Sequence, residues 1–354
     1  MADPRTGEYA ELLVGRCIDP RPGWQVLVTG TVQARPLMAE LSRALARRGC
    51  WPLRRLTWGP SLGLDLDWLA EAPEELAREV APLELDVLER VDAAIFVVAP
   101  EDARQLAGHS PAALNAQTSP YRRRGRAGEI PTVLCDYPCQ AFADESGLSL
   151  PELEDVMFGA CLRDWDAEAA RMEPLRARLE RARVVRIVGE DTDLTLDVED
   201  RPALTDDGRL NMPGGEVYCC PVSADGRIRF SHFPQLAYGE EVWDIRLVFR
   251  DGEVVEATAG EGEDVLLRAL DTDDGSRRVG ELGIGCNPGV RRHMKNLLFD
   301  EKMDGTVHVA VGAGLPIAGG TNVSALHWDL VRSMRGSRLM LDGEVVQEDG
   351  AWRL

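Results

Sequence analysis

The sequence predicts an α/β N-terminal domain with a doubly wound parallel sheet, followed by a β-rich α+β C-terminal domain. Two observations support this fold class. The first half alternates strand and helix patterns, which is typical of a parallel sheet covered by helices on both faces. From Val184 onward, strand patterns and turn signals such as Asp207-Gly208 and Asp225-Gly226 dominate. We therefore predict domains at 1–183 and 184–354, since 354 residues are enough for two hydrophobic cores.

The elements of the first domain follow from the spacing of its apolar residues. Apolar positions three and four apart predict helices, whereas short continuous apolar runs predict strands buried on both faces. The run Ala93–Ala99 (AAIFVVA) is the clearest example of such a strand. The predicted strands are 24–29, 51–58, 93–99 and 131–135, and the predicted helices are 36–46, 69–80, 83–90, 150–162 and 165–182.

The second domain is predicted to consist mainly of strands joined by tight turns. The segment 250–253 (RDGE) contains the Asp-Gly pair that favours a hairpin. The predicted strands are 184–188, 193–198, 242–249 and 254–257, and one helix is predicted at 262–270.

The composition argues against several classes of partner. The chain has 60 acidic and 40 basic residues and a net charge of −20. Nucleic acid and anionic membrane surfaces bind basic proteins, so neither is expected as a partner. No apolar run approaches the roughly 18 residues of a membrane-spanning helix, and the N-terminus lacks a signal-peptide pattern. The eight cysteines form no repeated zinc-binding pairs, and we expect a cytoplasmic protein with reduced thiols.

His327 and Asp329 are the most informative residues of the chain. Two residues apart in an extended strand, they point to the same face and present an imidazole nitrogen and a carboxylate to one point. Another of the five histidines, His308, lies 19 residues upstream in an apolar strand. A lone histidine there is usually a core residue, but the nearby pair favours a metal ligand. His293 follows two arginines and is predicted to be exposed.

Three glutamates could complete a metal site. Glu216 follows a tight turn at the start of a strand, Glu281 lies among glycines and aliphatic residues, and Glu301 follows the sequence LFD. A carboxylate in an apolar setting needs a cation or a hydrogen-bond partner. Without a metal, Glu216 would be a surface residue and Glu301 would form a surface pair with Lys302. Glu281 would then bind Arg277, Arg278 or a backbone turn.

Two kinds of metal chemistry fit these residues. Together they supply two imidazoles and four carboxylates, which match a hydrolytic site with two divalent ions about 3.5–4 Å apart. The smaller set of His308, His327 and Asp329 is a 2-His-1-carboxylate triad, which binds ferrous iron in oxygenases. Both interpretations are open at this point.

The candidate ligands lie in motifs that resemble the aminopeptidase T and aminopeptidase S family of thermophilic metallo-aminopeptidases. The resemblance extends over the full length of the chain. Each motif alone is weak, but the combination is specific. The matching motifs are Thr192–Leu194, Asn211–Val217 (NMPGGEV), Gly280–Gly285 (GELGIG), Leu298–Glu301 (LFDE), Gly305–Ala310 (GTVHVA), Gly319-Gly320 and His327–Asp329 (HWD).

The resemblance implies an α/β domain followed by a β-rich catalytic domain that binds metal, in a homodimer. It implies a metal-dependent aminopeptidase, a hydrolase that removes N-terminal residues from peptides. The implied cofactors are zinc, cobalt or manganese ions, and the implied ligands are Glu216, Glu281, Glu301, His308, His327 and Asp329. Glu281 or Glu301 would be the catalytic proton shuttle if one of them does not bind metal.

One position departs from the family pattern. Members carry a tyrosine seven residues after the first histidine, whereas this chain has Leu315 there. The chain is also similar in length to a branch that contains 2,5-dihydroxypyridine dioxygenases, which use one iron ion. The alternatives are therefore a mononuclear non-haem iron ring-cleaving dioxygenase and a repurposed small-molecule amide hydrolase.

Overall fold

A computed structural model of the chain describes residues 3–59, 65–109, 113–114, 116–118 and 130–353. The chain divides into two compact units, which are Met1–Arg163 with Gly208–Gly214, and Asp164–Asp207 with Gly215–Leu354. The second unit thus begins at residue 164, whereas the sequence placed the change of pattern near 184. The helix Trp165–Leu179 accounts for this difference, because its buried apolar side chains join the core of the second unit.

The described strands are numbered in chain order. They are β1 Gln25–Gly30, β2 Trp51–Leu56, β3 Ala93–Val98, β4 Thr132–Asp136, β5 Val184–Gly189, β6 Thr192–Asp197, β7 Leu204–Asp206, β8 Asn211–Met212, β9 Glu216–Cys219, β10 Ser223–Phe230, β11 Gln235–Ala237, β12 Glu240–Val242, β13 Ile245–Arg250, β14 Glu253–Thr258, β15 Val279–Gly285, β16 Thr306–Gly312, β17 His327–Ser333, β18 Arg338–Leu341, β19 Glu344–Glu348 and β20 Ala351–Trp352.

Most described helices belong to the first unit. Among the described residues, no helix combines the length and the apolar composition needed to cross a bilayer. The helices are Arg5–Leu12, which continues as a π-helical turn at Leu13–Ile18, then Arg35–Arg47, Leu66–Glu71, Glu74–Ala77, Pro82–Arg90, Gln140–Ser146, Leu150–Cys161, Trp165–Leu179, Glu263–Leu270 and Leu297–Asp300, with a 3₁₀ turn at Pro316–Ala318.

The first unit contains a five-stranded sheet in the order β2–β1–β3–β4–β8. All of its strand pairs are parallel, and β1 and β3 are buried along nearly their whole length. The predicted α/β class is confirmed. The predicted helix at 69–80 is wrong, because two short helices flank Pro73 instead. Proline disfavours helical conformation in the residue before it, and Ala72 is extended.

The second unit contains an eight-stranded and a five-stranded antiparallel sheet. The predicted β-rich class is confirmed. The predicted strand at 242–249 is interrupted, since β12 ends at Val242 and Asp244 adopts a left-handed φ of 53°. The five-stranded sheet has the order β17–β16–β15–β9–β7. One face of it contributes Val217, Leu282 and Val309 to a core shared with the eight-stranded sheet.

Candidate metal centre

The other face of the five-stranded sheet carries five of the six candidate ligands. Side chains alternate between the two faces of a strand, so the valines of β16 enter the core while His308 points to the opposite side. Antiparallel register places His308 beside Gly283, and Asp329 beside Ala310. It also places Glu216 opposite Asp206 at the end of the sheet. The strands therefore bring together residues that are more than 100 positions apart in the sequence.

The two imidazoles face a common group of carboxylates. His308 Nε2 lies 3.6 Å from Glu216 Oε2, 3.5 Å from Glu281 Oε1 and 3.7 Å from Asp329 Oδ1. His327 Nε2 lies 3.7 Å from Glu281 Oε2 and 3.4 Å from Asp329 Oδ2. His327 Nδ1 is 2.7 Å from the Ala313 carbonyl oxygen, to which it donates when it carries the proton. That bond leaves Nε2 as the nitrogen available to a metal.

Five of the six candidates form two triads that share one carboxylate. The first triad is Glu216, Glu281 and His308, and the second is Glu281, His327 and Asp329. Within each triad, one ligand atom of each residue lies within 4.8 Å of the others. Each triad contains one histidine, so the two imidazoles belong to different groups.

Glu301, the sixth candidate, lies beside a buried lysine. Lys302 Nζ is 2.7 Å from Glu301 Oε1, 2.5 Å from Glu216 Oε1 and 3.4 Å from Asp206 Oδ2. The pair of Glu301 with Lys302 exists, but its assignment to the surface is wrong, because Lys302 is fully buried. Burial alone would lower the pKa of Lys302, but the three carboxylates raise it well above its usual value.

The arginines that could have neutralised Glu281 bind other residues. Arg277 pairs with Asp271 at 2.7 Å, and Arg278 lies 3.7 Å from Glu253. The alternative prediction, that Glu281 binds Arg277 or Arg278, is therefore wrong. Its neighbours are the two histidines of the centre.

Burial and contacts within the cluster shift the pKa values of its side chains. Burial raises the pKa of both Glu216 and Glu301 to about 7, against the opposing effect of Lys302. Burial would lower the pKa of His308, but the neighbouring Glu281 and Asp329 carboxylates raise it to about 10. Burial would raise the pKa of Asp329, but His327 holds it well below its usual value. An imidazole binds metal only after losing its proton, so a cation and a proton compete for His308.

The donor set fits divalent metal. Glu216 Oε2, Glu281 Oε2 and Asp329 Oδ1 are buried and form no hydrogen bond with another described residue. Buried charged oxygens need a counter-charge. When ionised, Asp206 and the four candidate carboxylates carry five negative charges against the one positive charge of Lys302. The difference of four is the charge of two divalent ions.

Gly283 provides the space that the His308 ring occupies. A Cβ atom at residue 283 would lie 2.0 Å from the Cε1 and Nε2 atoms of this imidazole, a separation that real structures do not tolerate. The glycine in the GELGIG motif is thus required by the close approach of the ligand ring.

Sequence reasoning missed several residues around the centre. Asp206 and Lys302 belong to the buried cluster, and Asp273 binds the loop that leads into β17. Asp273 accepts hydrogen bonds from Ser324 Oγ at 2.7 Å and from the Ala325 N–H at 2.6 Å. The only sequence signal for Asp206 was its position just before a predicted turn.

His293 was predicted to be exposed, and this prediction is wrong. Its side chain is 12% exposed, its Nε2 lies 3.2 Å from Asp300 Oδ2, and its ring stacks on Phe233. Asp300 in turn accepts the backbone N–H groups of Met294 and Asn296. These contacts fix the position of the short helix Leu297–Asp300, which directly precedes Glu301.

Leu315, at the position of the family's tyrosine, forms an apolar contact. It packs against the cluster of Tyr218, Cys220 and Ala318, and its N–H donates to Cys220 Sγ at 3.2 Å. Tyr218 lies on the ligand face two residues from Glu216. Burial, together with the nearby carboxylates, raises the pKa of Tyr218, so its phenol stays protonated at neutral pH.

Comparison with known proteins decides the family. The sequence model of the thermophilic metalloprotease family (M29) matches residues 2–352. The chain belongs to this family. It is 28% identical to aminopeptidase T of Thermus thermophilus over 86% of this chain and 83% of that protein. It is 24% identical to aminopeptidase PepS of Streptococcus thermophilus, over 97% of this chain and 94% of that one.

Two solved structures share the fold. Wild-type AmpT from Thermus thermophilus superimposes with a TM-score of 0.80 at 23% identity, and the match covers 99% of both chains. The 2,5-dihydroxypyridine dioxygenase from Pseudomonas putida KT2440 gives a TM-score of 0.65 at 14% identity, over 99% of this chain and 98% of that one. The predicted resemblance is thereby confirmed. As an M29 protein the chain is a hydrolytic enzyme, and the family implies a divalent metal.

Proposed function

We propose that the protein is an aminopeptidase that uses two divalent ions, zinc, cobalt or manganese, to hydrolyse the N-terminal peptide bond of small peptides. The observation that supports this most strongly is the pair of triads that share Glu281 and contain one histidine each. A mononuclear iron site would need His308, His327 and Asp329 in a single group. The arrangement favours two ions over one, and hydrolysis over ring cleavage.

Five of the six candidate residues would divide the binding of the ions. Glu216 and His308 would hold one ion, His327 and Asp329 the other, and Glu281 would bridge them. When bound, two such ions lower the pKa of a water molecule towards neutrality and polarise the carbonyl of the scissile bond. The Ala313 carbonyl fixes the orientation of His327, which keeps its Nε2 directed at the cluster.

Glu301 is the residue to which we assign proton transfer. It lies outside both triads, and its side chain, 12% exposed, is the most accessible carboxylate of the cluster. Its pKa of about 7 suits a general acid–base near neutral pH. Lys302 binds its Oε1, which leaves Oε2 to take a proton from water and deliver it to the leaving amine.

The charge of the protein favours the amino end of a peptide. The two ions would balance the excess carboxylates of the centre itself, but the net charge of −20 attracts cationic peptides over a longer range. An N-terminal amine is the positive group that every peptide carries next to its first peptide bond.

Release of p-nitroaniline from aminoacyl-p-nitroanilides, with each of the three metals, tests the proposal. Glu301→Gln removes the proton acceptor and should lower kcat by about 10²–10⁴-fold, with metal content unchanged. Glu256→Gln is the matched control, because Glu256 is exposed on β14 of the same unit. Absence of hydrolysis in the wild type would refute the aminopeptidase assignment. Loss of metal in Glu301→Gln would make Glu301 a ligand instead of the proton shuttle.

A further inference from the structure

A cavity in the second unit has the opposite charge to its surroundings. It has a volume of about 300 Å³ and lies between the loop 314–322 and the ends of β9 and β15. Arg201 and Arg278 line it, and no described aspartate or glutamate does. In a chain with 60 acidic and 40 basic residues, a cavity with two guanidinium groups and no carboxylate indicates a site for an anion.

Arg201 is held in place without a charged partner. One of its terminal nitrogens donates to the carbonyl oxygen of Gly319, and it forms no ion pair with any described residue. Its Nε is buried and makes no hydrogen bond to another described residue. Buried donors in folded proteins are normally satisfied, so the Arg201 guanidinium group is only partly satisfied by the chain around it.

Arg278 is only weakly neutralised. Its nearest carboxylate, Glu253, lies 3.7 Å away, and both side chains are about half exposed. Such an ion pair contributes little and yields easily to a better acceptor. A carboxylate ligand suits these arginines because the planar guanidinium group matches it with two parallel hydrogen bonds.

Three segments of the chain connect the lining of the cavity to residues of the metal centre. Gly280, which lines it, directly precedes Glu281, and Cys220 lies two residues beyond Tyr218 on the ligand face. Gly314 follows Ala313, whose carbonyl orients His327. The packing of the Gly314 and Gly320 backbones keeps this wall free of side chains, since a Cβ at residue 320 would lie 2.4 Å from the Leu315 nitrogen.

We propose that this cavity binds the C-terminal carboxylate of a short peptide whose N-terminal amine lies at the metal centre. This inference rests on the proposed aminopeptidase function and narrows its substrate class. The two ends of the peptide are then recognised separately, the amine at the metal centre and the carboxylate by Arg201 and Arg278. Substrate length is consequently limited, because an extended peptide spans at most about 3.3–3.6 Å per residue.

The test compares peptides with free and amidated C-termini on the metal-loaded enzyme. A series of two to five residues, such as Leu-Ala-Ala and its amide, is hydrolysed by the wild type and by Arg201→Gln. At one length the wild type should favour the free acid in kcat/KM by about 10- to 100-fold, the ratio expected of hydrogen bonds between charged groups. Arg201→Gln should abolish this preference and leave hydrolysis of leucine p-nitroanilide, which has no carboxylate, unchanged.

The controls separate this inference from the proposed function. Arg250→Gln removes an exposed arginine of the same unit and should keep the preference for the free acid. Equal rates for acids and amides at every length would overturn the carboxylate site while leaving the aminopeptidase intact. If acetate changes the rate of p-nitroanilide hydrolysis by the wild type but not by Arg201→Gln, the cavity binds a free anion. That result would overturn its role in binding the peptide carboxylate. A wild type that cleaves none of these compounds refutes the proposed function itself.

Discussion

Replacement of Gly283 by alanine tests the geometry of the centre without changing any candidate ligand. Gly283 and His308 are paired across β15 and β16. The added Cβ would lie 2.0 Å from Cε1 and Nε2 of the His308 ring. The nitrogen that faces the carboxylates is therefore one of the atoms that the methyl group would displace.

The size of the displacement follows from these distances. Ordinary contact begins at 3.4 Å, so the ring must retreat by about 1.4 Å from its 2.0 Å approach. The distance between a metal and an imidazole nitrogen is about 2.0–2.1 Å and varies by only about 0.2 Å. We expect one ion to be lost and kcat/KM to fall by at least about 100-fold. Overpacking should also destabilise the fold by about 1–3 kcal/mol.

The assay combines p-nitroanilide hydrolysis, metal content and urea unfolding. Gly159→Ala is the matched control, because a Cβ added there meets nothing within 4 Å. A double variant with His308→Ala removes the ring and relieves the overlap. It should therefore be no less stable than His308→Ala alone. Wild-type activity and metal content in Gly283→Ala, or strictly additive stabilities, would refute the packing of His308 against residue 283.

Three further predictions concern stability. Lys302→Met leaves buried carboxylates without their cation and should destabilise the metal-free protein by about 3–5 kcal/mol in urea unfolding; a loss below about 1 kcal/mol would contradict its role as counter-charge. Removal of metal with a chelator should lower Tm, and zinc at about 100 times its Kd should restore about 2.7 kcal/mol; an unchanged Tm would argue against a metal that stabilises the fold. Burial would raise the pKa of Asp273, but hydrogen bonds from Ala325 and Ser324 lower it below 3.8. Its contribution is therefore present above that pH and lost as pH falls through the folded pKa. Asp273→Asn should thus destabilise at pH 7 by under about 1 kcal/mol and by less as the pH falls; an equal loss at pH 7 and at pH 2 would contradict this.

The sequence predicted those parts of the centre that depend on strand alternation. His327 and Asp329 lie two residues apart on β17, and His308 alternates with core valines on β16. These local patterns determine which face a side chain takes. Once the three glutamates in family motifs are added, the six candidate residues of the centre can be proposed from the sequence alone.

The rest of the cluster depends on contacts between distant segments. Asp206 joins it because β7 pairs with β9, and no local pattern predicts that pairing. Lys302 follows Glu301 directly, and neighbouring opposite charges are usually a surface pair; only the convergence of Asp206 and Glu216 shows that the lysine is buried. Charge counts along the chain cannot identify a buried cation, because burial is a property of the packed sheet.

Metal content measured by elemental analysis, on protein purified without chelator, tests the central claim most directly. Two triads that share Glu281 predict two divalent ions of zinc, cobalt or manganese per chain, and His327→Ala should retain fewer. A single iron ion per chain, with oxygen uptake on 2,5-dihydroxypyridine, would contradict the two-metal hydrolytic centre and place both histidines on one ion.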